Sequence, residues 1–491
     1  MDISKNPISF GIVGSGTAGL MSAIMLRQAF PLSDITVVSS SSLGIIGVGE
    51  GTTEHWKQFM GRCSIPLEEL LVKTAATHKY GIRFENWSNS FPDYFHSVSG
   101  DEALFGWGLY PTYAGILESG ESLTSQTTSV GLVQNKIRKI GMHENTNQYH
   151  FDTFKLNNYF TEVCFKRSIK MIDGVVQDIT QNIENGCITS VTLENSQTIE
   201  ADFWIDASGF SRILMDKLKN NEWNSFSDYL LVDSAIAAPS ESYSEGIRPY
   251  TRAIAQDSGW IWEIPTQDRR GNGYVYSSQF ETTDSAINTL KKHIPLLNDP
   301  RTFKFDSGHL KEAWVKNCIA VGLSSSFVEP LEATSISASI QQISLAIPYI
   351  ASFKQNNTAS QKHYNKAFNA LMDNLLSMIR LHYISDRDDT PFWKACKNMK
   401  INDTLQELLD LWQERTPCRG DTPNTNGELF QAPHLYHVAQ GQGVLNIESA
   451  TMMIDNMDLR QKVEFDISNR RSARFDHELV DHKESLIMTW D

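Results

Sequence analysis

Gly14-Ser15-Gly16-Thr17-Ala18-Gly19 follows the apolar run Ile8 to Val13 and opens a helical pattern near Thr17. It fits G-x-G-x-x-G in the strand-to-helix setting that gives the motif its meaning. Gly14 permits the tight turn, Gly16 lets backbone approach a pyrophosphate, and Gly19 lets helix pack on strand. Free amides and the dipole at the helix start then hold phosphate. A purely structural glycine turn is the plainer alternative. The dinucleotide reading makes Gly14, Gly16, Thr17, Ala18 and Gly19 candidate cofactor contacts. The next strand, Ile35 to Val38, runs into four serines where an acid usually meets the ribose hydroxyls. A contact at Ser39 is therefore a neutral hydrogen bond.

Outward from the turn, Gly44, Gly47, Gly49 and Gly51 fall within eight residues. Such density suggests backbone lying close against a flat ligand such as an isoalloxazine ring, with Gly49, Glu50 and Gly51 in contact; a flexible loop is the alternative. Thr77 to Trp87 alternates as a strand feeding a turn, and Lys79 within it reads, alone, as a solvated side chain on a strand edge. Ile169 to Ile179, Ile188 to Leu193 and Ala201 to Ile205 alternate as strands of a second sheet, with Val176 placed for a backbone contact to adenine. Asp206 follows a strand, as in a second flavin-binding turn, and serves equally as a turn cap.

Residues 100–150, with Phe105, Trp107, Tyr110 and Tyr113, read as a cover over a pocket. Trp260 and Trp262 face one way on a strand and form an aromatic wall, and Gly271-Asn272-Gly273 reads as the hairpin turn after it. A buried strand, Cys318 to Leu323, precedes a helix starting near Thr334, whose first-turn amides make an anion site. Glu332 just ahead is otherwise a helix-start carboxylate facing the dipole. From roughly residue 361 the chain reads as helical, with a linker-like patch at Thr416 to Gly427.

Composition narrows the classes. With 491 residues, 41% of them apolar, the chain can bury a large core. A net charge of −15 and a pI near 5.4 exclude a nucleic-acid wrapper. Six scattered cysteines without Cys-x-x-Cys read as reduced thiols in the cytoplasm, and no metal cluster shows. Ile8 to Leu26 and Ala333 to Phe353 are uncharged, but glycines break the first and Ser, Gln and Pro348 make the second too polar to span a membrane.

Five segments then fall in a telling order: the Gly14 turn; Gly47-Val48-Gly49-Glu50; Lys79 before Gly81-Ile82-Arg83-Phe84-Glu85-Asn86-Trp87; Trp260-Ile261-Trp262-Glu263-Ile264-Pro265; and Phe327-Val328-Glu329-Pro330-Leu331-Glu332-Ala333-Thr334-Ser335. Together they resemble the flavin-dependent halogenases of the tryptophan halogenase type, over about the first 390 residues, through Asp389-Thr390-Pro391-Phe392-Trp393. W-x-W-x-I-P is the signature that separates those enzymes from flavin hydroxylases.

The resemblance implies an α/β fold: a Rossmann-like, three-layer FAD-binding domain of the flavin monooxygenase type, a second substrate-side sheet and a mostly helical C-terminal region. The expected division is 1–360 for the FAD-binding module, with the interleaved sheet at about 220–290, and 361–491 for the helical subdomain. Leu323 and Ile336 complete the candidate cofactor contacts. The family's activity implies that reduced FAD (FADH2) and O2 convert a halide, held at Thr334 and Ser335, to hypohalous acid. Lys79 then forms a haloamine or hydrogen-bonds the acid, and Glu332 orients the halogenating species and accepts the ring proton. The implied partners are a separate NAD(P)H flavin reductase and a small aromatic substrate, indole-like or phenolic, with no nucleic acid and no membrane; a homodimer is the assembly to test for.

Two departures stand out: Ser335 replaces a frequent Gly of the family, and the C-terminal region does not match the part that holds free tryptophan. The rival readings are a single-component flavin hydroxylase, a non-catalytic FAD-binding protein and an inactive relative. Against the first, Gly322-Leu323-Ser324 stands where hydroxylases carry Gly-Asp, and there is no second dinucleotide fingerprint.

Overall fold

The computed structural model describes residues 7–41, 44, 47, 50–97, 104–122, 135–138, 148–219, 222–353, 358–422, 428–473 and 479–487. The apolar run before the glycine turn becomes the wholly buried strand Phe10–Val13. It lies inside a six-stranded sheet in the order Trp314–Val315, Cys318–Ala320, Phe203–Asp206, Phe10–Val13, Ile35–Ser39, Lys170–Asp173. Every pairing is parallel except the antiparallel edge Trp314–Val315. Helix Thr17–Ala29 packs with helices Thr153–Lys166 and Thr334–Ile350. A three-stranded antiparallel sheet, Val176–Gln181, Ile188–Leu193 and Thr198–Glu200, shares an apolar cluster with Val13, Val38, Ile172 and Trp204. Helices, parallel sheet and small sheet make the three layers.

Here the expected second sheet divides. Phe203–Asp206 is buried along its whole length, as parallel strands are, whereas the alternation belongs to strands with one wet face such as Val176–Gln181. Lys170–Asp173 and Phe203–Asp206 therefore join the main sheet. The buried strand expected over Cys318 to Leu323 stops at Ala320, and Gly322–Ser324 is a 3-10 turn.

A seven-stranded sheet forms the other half of the site, in the order Arg301–Lys304, Ser234–Glu241, Arg269–Tyr276, Gly259–Pro265, Thr251–Gln256, Gly81–Glu85, Asp93–Ser97. Gly271-Asn272-Gly273 lies within its strand Arg269–Tyr276 and makes no turn; Thr266 N donates to Arg269 O at 2.9 Å to close the hairpin. Gly273 is opposite Trp262, and a Cβ there would lie 2.1 Å from the indole. This glycine makes room for a ring. The chain enters the sheet from the three-stranded patch Glu50–Gly51, Gln148–Phe151, Thr77–Lys79. The corner is Gly81, with φ +154 and a would-be Cβ 2.3 Å from His96 O, a geometry closed to other residues.

The expected cover at 100–150 is core instead where it is described. Helix Pro111–Glu118 is buried over its first seven residues, and Tyr110 and Tyr113 pack with Tyr436; Trp107, 89% exposed, and Leu104, 37% exposed, stand out in solvent. Helix Thr358–His382 buries Tyr364, Phe368, Leu371, Leu375 and Ile379 at helical spacing. One apolar cluster runs from Phe10 to Leu486. The patch expected as a linker carries structure: Arg419–Asp421 is a 3-10 turn, Asp421 pairs with Arg415, and Cys418 bridges to Leu109, while 423–427 lie outside the described residues. Among the described residues no helix is long and apolar enough to cross a membrane, and no group of three or more His, Cys, Asp or Glu side chains is arranged to hold a metal ion.

Candidate active site

The cofactor side is built by close approaches of backbone. Gly14 has φ +109, and a Cβ on it would lie 2.1 Å from Ala207 O. A Cβ on Gly19 would lie 2.0 Å from Gly14 O, so helix and strand touch there. Gly16 is the exception: nothing lies within 4 Å of its would-be Cβ. It is extended (φ −65, ψ 175) at the start of helix Thr17–Ala29, with no side-chain cap and no acid in the first turn. Open space facing uncapped amides fits the pyrophosphate of a dinucleotide such as FAD.

Leu323 and Ile336 come to the same place. Gly322 approaches Ala18, its would-be Cβ 2.6 Å from that side chain, and the turn Gly322–Ser324 packs on helix Thr334–Ile350. Gly51 lies between the two catalytic candidates' segments, its would-be Cβ 3.3 Å from Ala333 Cβ and 3.5 Å from Lys79 Nζ. Glu50 pairs with Phe151 through its backbone; its side chain and Gly49 lie outside the described residues. Ser39 ends its strand, its carbonyl accepting from Gly174 N at 2.7 Å, and Val176 packs beside Val38 and Ile172. Asp206 is fully buried. It accepts from Ser208 N and Oγ, Leu214 N, Met215 N and Ser324 Oγ, tying strand, short helix and 3-10 turn together.

Glu332 and Ala333 are consecutive left-handed residues (φ 64 and 55) immediately before helix Thr334–Ile350. Each such non-glycine conformation costs of order 1–3 kcal/mol and survives where the surroundings over-determine it. Thr334 and Ser335 in the first turn line a small recess with Gly322, Phe327, Val328 and Ala338. Lys79 is 2% exposed, and its Nζ donates to Thr52 O at 2.8 Å. Burial pushes its pKa down to about 8, with Glu332 and Glu54 pulling the other way.

Glu332 is 3% exposed. His96 Nδ1 lies 2.9 Å from each of its carboxylate oxygens, and His382 Nε2 3.0 Å from Oε1. Burial alone would raise this carboxyl; the two imidazoles override it and hold it well below the usual range. Burial also lowers His382, so the ring is neutral and donates through Nε2–H. Its Nδ1 faces Tyr94 OH at 3.0 Å, and Phe84 stacks on it at 4.5 Å.

The tryptophans expected to form a wall are buried, Trp260 at 2% and Trp262 at 4%. Trp260 Nε1 donates to Glu329 Oε1 at 2.9 Å, Tyr383 OH donates to the same oxygen at 2.6 Å, and burial pushes Glu329 up to about 7. Trp87 packs on Trp260 and on Trp393. Four segments far apart in sequence thus meet in one aromatic block behind Glu332. His96, His382 and Tyr383 are site residues that sequence reasoning missed, since no local motif marks them, while Glu329 lies in the segment Phe327 to Ser335 but has no role in that reading.

An FAD-type fold carrying a buried lysine beside a buried carboxylate is that of a flavin-dependent halogenase, and comparison with known proteins agrees. A profile described as tryptophan halogenase matches residues 9–458. Tryptophan 7-halogenase RebH of Lentzea aerocolonigenes is 32% identical over 436 residues, covering 82% of this chain and 81% of RebH. 7-Chloro-L-tryptophan 6-halogenase KtzR of Kutzneria sp. (strain 744) is 30% identical over 512 residues, with 97% and 98% covered. The structure of BrvH, a flavin-dependent halogenase from Brevundimonas sp. BAL3, superposes with a TM-score of 0.87 at 26% identity, covering 98% of this chain and 99% of that one. Tryptophan 6-halogenase SttH from Streptomyces toxytricini gives 0.88 at 26% identity, with 98% and 100% covered. The chain belongs to the tryptophan halogenase family.

Proposed function

We propose that this enzyme halogenates a small electron-rich aromatic, indole-like or phenolic, with Lys79 carrying the oxidised halogen and Glu332 accepting the ring proton. The observation that carries the reading is the pairing of a lysine and a glutamate, 2% and 3% exposed, in mutual electrostatic reach beneath the glycine-rich cofactor face. Gly14, Gly16, Thr17, Ala18, Gly19, Ser39, Gly49, Glu50, Gly51, Val176, Asp206, Leu323 and Ile336 are the proposed surroundings of FAD, Asp206 acting through the turn it ties. Bound FAD, reduced by a separate NAD(P)H-dependent reductase, supplies with O2 the oxidising power that turns halide into hypohalous acid.

The chain's own residues do the rest. Amides at Thr334 and Ser335 hold the halide at the helix start. Lys79, with its pKa drawn toward 8, presents a sizeable neutral fraction near pH 8. The neutral amine attacks hypohalous acid, forming an N–halogen bond and releasing water; the ammonium instead donates a hydrogen bond to the acid. In either case the ring carbon takes the halogen, and its proton passes to the ionised Glu332 carboxylate. Burial excludes water that would otherwise consume the oxidant. The buried thiols Cys63, Cys164, Cys187, Cys318 and Cys396 are free, in keeping with a reducing cytoplasm.

The test supplies reductase, NADH, FAD, O2 and each halide in turn to a panel of indoles and phenols, tryptophan included, with mass-spectrometric detection. Halogenated product is expected. Hydroxylated product or peroxide alone under every halide would refute the reading.

A further inference from the structure

The donors around Glu332 are themselves arranged by a second pair. His96 Nε2 lies 3.0 Å from His434 Nδ1, and His434 Nε2 lies 3.4 Å from Glu54 Oε1. His96 is buried on strand Asp93–Ser97; His434, on helix Ala432–Gly441, and Glu54, at the start of helix His55–Arg62, reach solvent with side chains 16% and 27% exposed. A neutral His96 donates to ionised Glu332 through Nδ1–H only if its Nε2 accepts. The atom facing that Nε2 is His434 Nδ1, which must therefore carry hydrogen. With the Glu54 carboxylate 3.4 Å from its other nitrogen, an imidazolium at His434 would satisfy both neighbours. The opposite arm runs the same way: Gln442 Nε2 donates to Tyr94 OH at 2.9 Å, Tyr94 donates to His382 Nδ1, and His382 Nε2 donates to Glu332. Protons in both arms point at Glu332.

We propose that Glu54 and His434 are a positioning pair for this reaction: Glu54 keeps His434 protonated, His434 fixes His96 as the Nδ1–H tautomer, and Glu332 is thereby held ionised and ready to take the ring proton. Among the described residues, the groups facing the pair include His55, whose Nδ1 is 3.9 Å from Glu54 Oε1, Gln148, donating to Glu54 Oε2 at 3.4 Å, and Lys79, whose amine feels both Glu54 and Glu332, while His437 faces His96 with ring centroids 5.9 Å apart. Burial by itself would raise Glu54, but His434 brings it to about 2. Glu54 is thus ionised throughout the working range. When His434 loses its second proton, the remaining one goes to Nε2 beside Glu54. A neutral His96 then donates through Nε2, and its bare Nδ1 faces the Glu332 carboxylate.

The inference rests on the halogenase reading, and the experiment separates the two. The aromatic substrate is deuterated at the carbon that becomes halogenated, and turnover is followed across pH with reductase-supplied FADH2. His434→Leu is expected to lower kcat roughly tenfold or more, the usual worth of a charge-assisted hydrogen bond, with KM for the aromatic unchanged and a primary isotope effect larger than that of wild type. His434→Asn, whose amide N–H takes the place of Nδ1–H, should recover most of the loss. Glu54→Gln should move the alkaline limb of the rate profile to lower pH. An isotope effect unchanged from wild type in all three FAD-loaded variants overturns the inference, as does an Asn variant no better than Leu. Wild type that makes no halogenated product overturns the proposed function instead.

Discussion

Replacing Glu332 by Gln keeps shape and removes charge, and the structure sets what should follow. The carboxylate accepts from His96 Nδ1 and His382 Nε2 at 2.9–3.0 Å. A hydrogen bond to a charged group is worth about 1.5–3 kcal/mol and a neutral one about 0.5–1.5 kcal/mol, so the two weakened contacts cost together about 2 kcal/mol. Relief of a buried charge offsets part of this. The fold should therefore survive, with FAD bound and a thermal midpoint lowered by only a few degrees. Turnover should not survive as well: a positioned general base contributes ~10²–10⁴-fold, about 3–5 kcal/mol of barrier at 1.36 kcal/mol per decade. The assay is product formation by mass spectrometry, beside thermal unfolding and flavin absorbance on the same preparation. A variant within threefold of wild type would refute the base assignment. Equal loss of fold and activity would make Glu332 a structural carboxylate.

Further outcomes follow from other sites. Lys79 is pushed down to about 8 in the folded protein, so between pH 8 and its ordinary value near 10.4 the unfolded chain binds more protons and stability rises with pH. Lys79→Met should be the more stable protein below pH 8, by up to about 3 kcal/mol, with the gap closing toward pH 10 in denaturant titrations at stepped pH. If the haloamine carries the reaction, halogenation rises with pH through about 8; a fall over the same window would favour hydrogen-bonded hypohalous acid. Gly273→Ala places a methyl 2.1 Å from the Trp262 ring and 2.4 Å from Ile236 O, an overpacking worth about 1–3 kcal/mol. Chemical denaturation should show it, and a midpoint equal to wild type would contradict the packing argument.

What could be read in advance was what depends on neighbours in sequence. The Gly14 turn, the helix starts at Thr17 and Thr334, and the strand carrying Lys79 are local, and their residue types state their geometry. Gly273 shows the limit: a glycine that admits an indole from another strand looks the same in sequence as one that turns a hairpin. Tyr110 and Tyr113 mislead likewise, because aromatic density does not say whether rings meet solvent, substrate or Tyr436. Alternation assigned Phe203–Asp206 to the wrong sheet, since a strand buried on both faces has no polar side to report. The histidines around Glu332 were out of reach altogether: His96 is 236 residues away in sequence, His382 50.

The most direct measurement compares wild type with Lys79→Ala in one reductase-coupled reaction, counting halogenated product against peroxide released per NADH consumed. Wild type should give halogenated aromatic, and the variant none, with its peroxide at or above the wild-type level. A variant that still halogenates, or that loses peroxide together with product, would contradict Lys79 as the carrier of the oxidised halogen.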